Sequence, residues 1–184
     1  MTRRASADSG VEALASEEFG IRTAVFQVPA CSSFLGKIRA VATARNTRIV
    51  CFNADLMAGR AHVAAAISRA LRAARAGTMI SSSLEMEALL YASGNRQCSV
   101  AERFGLHEGE NRAYVCLCPP SEAAFRDLSG FMTFVDEDWG VIPTEKRDRL
   151  REAFGITDEE LRAAGPGRLA DLVLERVALL EVYR

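Results

Sequence analysis

Five consecutive residues, Ser93-Gly94-Asn95-Arg96-Gln97, are the most chemically suggestive stretch of the chain. They fall between two helical patterns, where Gly and Asn supply the backbone geometry a helix–helix junction needs. Arg96 and Gln97 add a forked cation and a side-chain amide where the next helix begins. Open N–H groups at a helix start, joined by a guanidinium, suit phosphate or an unstacked base. A plain junction accounts for the same residues, so both readings stand here. Arg69, Arg72 and Arg75 step by three along the preceding helical pattern and lie broadly on one side of it. They bear on an anion site only if that side adjoins residues 95–97; otherwise they are a solvated face.

Catalytic chemistry has no comparable foothold. Gly105-Leu106-His107-Glu108-Gly109 lacks the strand-to-helix setting and the third glycine of a dinucleotide fingerprint. No Walker motif, HExxH or Gly-x-Ser-x-Gly elbow occurs. His107, beside Glu108 and Glu110, reads as an exposed loop histidine, and His62, among basic neighbours, as a helix-surface residue. Asp136-Glu137-Asp138 has the charge for a hard cation, yet such runs are usually solvated turns. No enzymatic activity and no cofactor are expected.

The cysteines Cys31, Cys51, Cys98, Cys116 and Cys118 are odd in number and mostly lie in apolar runs, as reduced buried thiols do. Cys116 and Cys118 share one face of a strand pattern without a histidine near in sequence, so zinc is not expected. No stretch approaches the roughly 20 apolar residues of a membrane span, and the start lacks a long apolar h-region. The expectation is a reduced, cytoplasmic protein. With a formal net charge of −1, any RNA contact must come from a local patch. The basic residues are Arg except for Lys37 and Lys146; Arg suits phosphate and base stacking, although genomic base composition explains the same bias.

The elements that must position these residues follow from periodicity and punctuation. Residues 1–20, rich in Ser, Ala and charge, read as a flexible N-terminal arm, and residues 21–184 as one domain. Strands are expected over 22–28, 48–53, 113–118 and 131–135. Ser32 and Ser33 are expected to cap a helix over 34–43. A long helix over 59–76 ends at Gly77, and Ser82 with Glu85 forms a capping-box pattern for the next, which breaks at Ser93-Gly94. Shorter helices are expected over 96–104 and 122–128, then one over 145–154 capped by Thr144, and another begun by Thr157 with Glu160. Strands and helices alternate irregularly, so the fold class is α+β, with a small mixed or antiparallel sheet flanked by helices.

A long final helix, from 168 to the end, carries two apolar stripes. Leu169, Leu172, Val173, Val177, Leu179, Leu180 and Tyr183 fill an arc of roughly 160°, enough to dock the helix on a core. Leu174, Ala178 and Val182 lie on the opposite side, rimmed by Asp171, Glu175 and Glu181. Three occupants fit that second stripe: the N-terminal arm, a second copy in weak self-association, or a partner protein with a basic rim.

Three stretches carry a resemblance to a known family. They are Phe52-Asn53-Ala54-Asp55 with Arg60 and His62-Val63-Ala64-Ala65-Ala66-Ile67-Ser68-Arg69-Ala70; the run from Ser81-Ser82-Ser83-Leu84-Glu85-Met86-Glu87 through Tyr91-Ala92-Ser93-Gly94-Asn95-Arg96-Gln97; and Val173-Leu174-Glu175-Arg176-Val177-Ala178-Leu179-Leu180-Glu181. Over about residues 50–184 the chain resembles the kinase-binding accessory subunit of the KEOPS complex, the TPRKB-like family. The resemblance implies a non-catalytic subunit of the complex that installs threonylcarbamoyladenosine next to the anticodon of tRNA. It implies direct binding to the complex's small atypical kinase, largely through the final helix, and indirect association with the other subunits. By analogy with archaeal members it also implies recruitment of tRNA through the 3′ CCA end. Carried over by residue, the RNA end falls to Gly94, Asn95, Arg96 and Gln97, with Ser82, Ser83 and Arg60 as further contacts. The kinase interface falls to Leu174, Ala178, Val182, Glu175 and Glu181. A kinase-binding module without RNA binding is the alternative. Three features depart from the family pattern: Cys98 replaces a branched aliphatic residue after Arg-Gln, segment 155–167 is longer, and the N-terminal arm is extended.

Overall fold

Strand β3, Gly109–Cys118, explains the layering of the molecule. From Ala113 onward every residue is apolar, and every one of them is buried. A strand buried on both faces needs a layer of helices on each side. It forms the inner part of a four-stranded sheet of order β2-β3-β1-β4, with β1 at Gly20–Val28, β2 at Arg48–Asn53 and β4 at Thr133–Val135. All the pairings are antiparallel, and Leu117 stands opposite Gly20 on one side and Ile49 on the other. The computed structural model describes residues 18–137 and 139–182, so residues 1–17 of the expected arm, together with Asp138, Tyr183 and Arg184, lie outside the described residues.

Alternation along the strands sorts the two cores. Ala113, Val115 and Leu117, with Phe26, Val28, Ile49 and Cys51, face α1 (Cys31–Ala44) and a later helix, α5 (Glu122–Leu128). Tyr114 and Cys116, with Ile21, Val50 and Phe52, face the larger layer. That layer holds α2 (Arg60–Ala76), α3 (Leu84–Ser93), α6 (Thr144–Phe154) and the last helix, α8 (Leu169–Val182). Helix α4 (Cys98–Ala101) follows α3, and α7 (Asp158–Ala164) precedes α8. The fold class is α+β, in one domain.

Several helix starts differ from the sequence reading. Helix α1 begins at Cys31, so Ser32 and Ser33 lie in its first turn; the Ser33 hydroxyl donates to the Ala30 carbonyl instead of capping. Helix α3 is capped by Ser83, one residue later than the Ser82–Glu85 box requires. Its hydroxyl accepts from the Met86 N–H, and Met86 has no carboxylate with which to reciprocate. Pro143, not Thr144, precedes α6. The Thr157–Glu160 capping box forms in full. Strand β4 starts only at Thr133, because the Phe131 and Met132 N–H groups close α5 by donating to the Leu128 carbonyl.

Among the described residues no helix is long and apolar enough to cross a membrane. All five cysteines are free thiols; burial pushes the Cys51 thiol up to about 12. The Cys116 thiol pKa is raised by a hydrogen bond with the Cys118 thiol, their Sγ atoms 3.9 Å apart, and by burial.

Candidate nucleic-acid and partner interface

The junction at Ser93-Gly94 is built from below by His62. The sequence reading puts this residue on a helix surface; the structure buries it, at 1 % exposure. Its Nδ1 accepts from the Ala58 N–H at 3.1 Å, and its Nε2 lies 2.9 Å from the Ala92 carbonyl, to which it donates as the Nε2–H tautomer. The ring thus ties the start of α2 to the end of α3 two residues before Gly94. Burial lowers its pKa to about 4, and the nearby Lys146 charge acts the same way. Burial takes His62 because it stands one turn before Ala66, on the face that Ala70 and Ala73 continue.

Gly94 closes α3 in the left-handed region, at φ 59°. A Cβ there would sit 3.3 Å from the Arg176 carbonyl of α8, so the glycine also lets the last helix approach. Asn95 is equally occupied: its Oδ1 accepts from the Gln97 N–H at 2.9 Å, an Asx turn that postpones α4 to Cys98. Arg96 and Gln97 therefore precede the helix instead of opening it, and both are exposed. Cys98 is exposed as well, so it does not pack beneath the turn.

Arg96 lines a hollow of about 470 Å³ with Thr78, Ile80 and Glu181. Ile80 is 42 % exposed and offers an apolar surface beside a guanidinium. The loop carrying it is pinned by Glu87, a fully buried carboxylate that accepts from the Ile80 N–H at 2.8 Å, the Ser81 N–H at 2.9 Å and the Ser81 hydroxyl at 3.1 Å. The arginines of α2 reach the same place. Arg72 Nη2 donates to the Glu181 carboxylate at 2.9 Å, and Arg69 Nε stands 3.5 Å from it. Arg75 instead pairs with Glu18.

The remaining sequence candidates are placed elsewhere. Arg60 donates from Nη2 to the Ile21 carbonyl at 3.0 Å and lines a different hollow with Asp136 and Glu137; the two hollows share no residue. Ser83 is occupied as the α3 cap and borders a groove between α1 and α3; Ser82 is exposed. His107 is pinned to its own loop, where its Nδ1 is 2.9 Å from the Glu108 carbonyl and its N–H donates to Asn111. Glu87, Ile80 and the meeting of α2 with Glu181 were not read from the sequence. Glu87 carried one signal, its position one turn before the buried Tyr91.

Helix α8 docks through Leu169, Val173, Val177 and Leu180, all buried. Leu172 packs against the core when half-buried, and Leu179 is half-buried too. Leu174 and Ala178 are half-buried, and Val182 is 73 % exposed. Arg176 pairs with Glu160 at 2.5 Å; the Thr157 backbone N–H and that arginine together hold the Glu160 carboxyl below the usual range.

The described residues thus form an α+β scaffold with an arginine-bearing hollow at one helix junction and a last helix half-buried beside it. A family model described as kinase binding protein CGI-121 matches residues 32–181. The regulatory protein Cgi121 of Methanocaldococcus jannaschii is 33 % identical over 134 residues, which cover 72 % of this chain and 82 % of that protein. The chain belongs to the Cgi121 family of kinase-binding proteins.

Proposed function

We propose that this protein is a non-catalytic accessory subunit of a KEOPS-type tRNA-modification complex, which binds the complex's small atypical kinase through α8 and recruits tRNA by its 3′ CCA end. Membership of a family described as kinase-binding supports the first part. The observation that carries the second is the hollow lined by Arg96, the exposed Ile80 and Glu181, the last of these paired with Arg69 and Arg72 of α2, beside the motif Ser93-Gly94-Asn95-Arg96-Gln97. A splayed nucleotide needs an apolar surface for its base and a cation for its phosphate, and these residues supply both.

The test is binding of intact tRNA against tRNA trimmed of its CCA end, at two salt concentrations. Arg96→Ala should weaken binding of intact tRNA by about tenfold and flatten the log–log salt dependence by about 0.7, one phosphate contact on a single strand. Trimming and mutation together should do no more than either alone. Equal binding of both tRNAs would remove the RNA role. For the kinase, Leu174→Glu should abolish binding by placing an unpaired charge in an apolar contact, with the fold unchanged; intact binding would refute the α8 assignment.

A kinase-binding module without RNA affinity is the second reading. Gly94 and Asn95 favour it, because each already has a structural role, and so does Glu181, which offsets part of the local positive charge.

A further inference from the structure

Glu181 stands where the two proposed surfaces meet. Its carboxylate accepts from Arg72 Nη2 at 2.9 and 3.3 Å. It approaches Arg69 only to 3.5 Å, and the buried Arg69 Nε has no hydrogen-bond partner among the described residues. The same side chain lines the hollow of Arg96 and Ile80. On its other flank it adjoins the exposed Val182 and lies three residues from Ala178, on the stripe assigned to the kinase. Glu175, farther along that stripe, is exposed and makes no ion pair among the described residues.

We propose that Glu181 is an internal counter-charge, holding Arg69 and Arg72 in the free protein and surrendering them when a basic group of the docked kinase takes its carboxylate, so that kinase docking and RNA capture strengthen one another. The proposal rests on the function given above and adds the coupling. A phosphate arriving at the hollow competes with Glu181 for both guanidiniums. Arg72, the more exposed of the two, is contested first; once Glu181 withdraws, a closer acceptor can complete at the buried Arg69 Nε the hydrogen bond that Glu181 leaves unmade. A cation from the kinase competes from the other side. Whatever share of the carboxylate it takes is released to the RNA surface, and linkage makes the effect mutual. The Arg72–Glu181 pair is half exposed on both partners, so the coupling is graded rather than all-or-none.

The experiment measures binding of intact tRNA to the wild type, Glu181→Gln, Arg72→Gln and the double variant, each alone and with saturating kinase subunit. Glu181→Gln alone should bind about two- to fivefold more tightly than the wild type, with a steeper salt dependence. Saturating kinase should raise the wild-type affinity by a similar factor and that of Glu181→Gln by none. The double variant should lose most of the gain. If Glu181→Gln binds no more tightly while Arg96→Ala still weakens binding, the counter-charge is refuted and the RNA reading survives. If kinase weakens tRNA binding by the wild type, the sign of the coupling is refuted. If no variant distinguishes intact from trimmed tRNA, the RNA reading fails, and the coupling with it.

Discussion

Protonating His62 should undo the joint beneath the Ser93–Gln97 turn. In the neutral ring Nδ1 accepts from Ala58 and Nε2–H donates to Ala92; a second proton turns Nδ1 into a donor facing an N–H. The folded pKa, about 4, lies below the ordinary 6.5, so the unfolded chain binds the proton more readily between those values. The stability that His62 contributes is therefore fully present above pH 6.5 and is lost as pH falls towards 4. The difference of 2.5 units corresponds to a loss of about 2 kcal/mol by pH 5 and about 3 kcal/mol by pH 4. His62→Phe removes the titration but leaves the Ala58 N–H and Ala92 carbonyl unpaired, which costs about 2–4 kcal/mol at pH 7. Urea unfolding of both proteins at pH 7, 6, 5 and 4.5 should show that deficit shrinking by about 2 kcal/mol between pH 7 and pH 5. Carboxylates such as Glu160 titrate alike in both proteins and cancel from the difference. A deficit that stays constant over this range would refute the neutral, doubly bonded imidazole.

Two further substitutions test the supports of the turn. Gly94→Ala forces a side chain into a left-handed residue and against the Arg176 carbonyl, so it should destabilise the fold by about 1–3 kcal/mol in chemical denaturation and weaken kinase binding by shifting α8. Glu87→Gln keeps the shape but removes the negative charge on which three donors converge at Oε2; a loss of about 1–3 kcal/mol and weaker tRNA binding are expected, read by denaturation and by titration with intact tRNA.

Locally encoded features were legible in the sequence. The Thr157–Glu160 capping box and strand β2 at Arg48–Asn53 depend on neighbours a few residues away, and both form as read. The docking stripe of the last helix was legible for the same reason in Leu169, Val173, Val177 and Leu180, which are buried, although Tyr183 lies outside the described residues. His62 was misread because its partners are main-chain groups, one of them thirty residues distant, and a polar residue on a helix gives no sign of them. Helical spacing to Ala66, Ala70 and Ala73 held the missed signal. Ser82 was misread as the cap because the Ser-x-x-Glu pattern fits the Ser82–Glu85 register alone, whereas the helix takes the register capped by Ser83, with Glu87 buried. Tertiary geometry alone could bring Glu181 to Arg69 and Arg72, since more than a hundred residues separate them.

Arg176 joins features that are far apart in the chain. Its carbonyl sets how closely α8 approaches Gly94, and its guanidinium is held by Glu160, whose carboxylate also caps α7. The stretch 155–167 is thus mechanically in series with the turn that bears Arg96. A length change there is expected to act through Arg176 on a turn some eighty positions earlier, so an insertion that displaces Glu160 should loosen the seat of Gly94 as well.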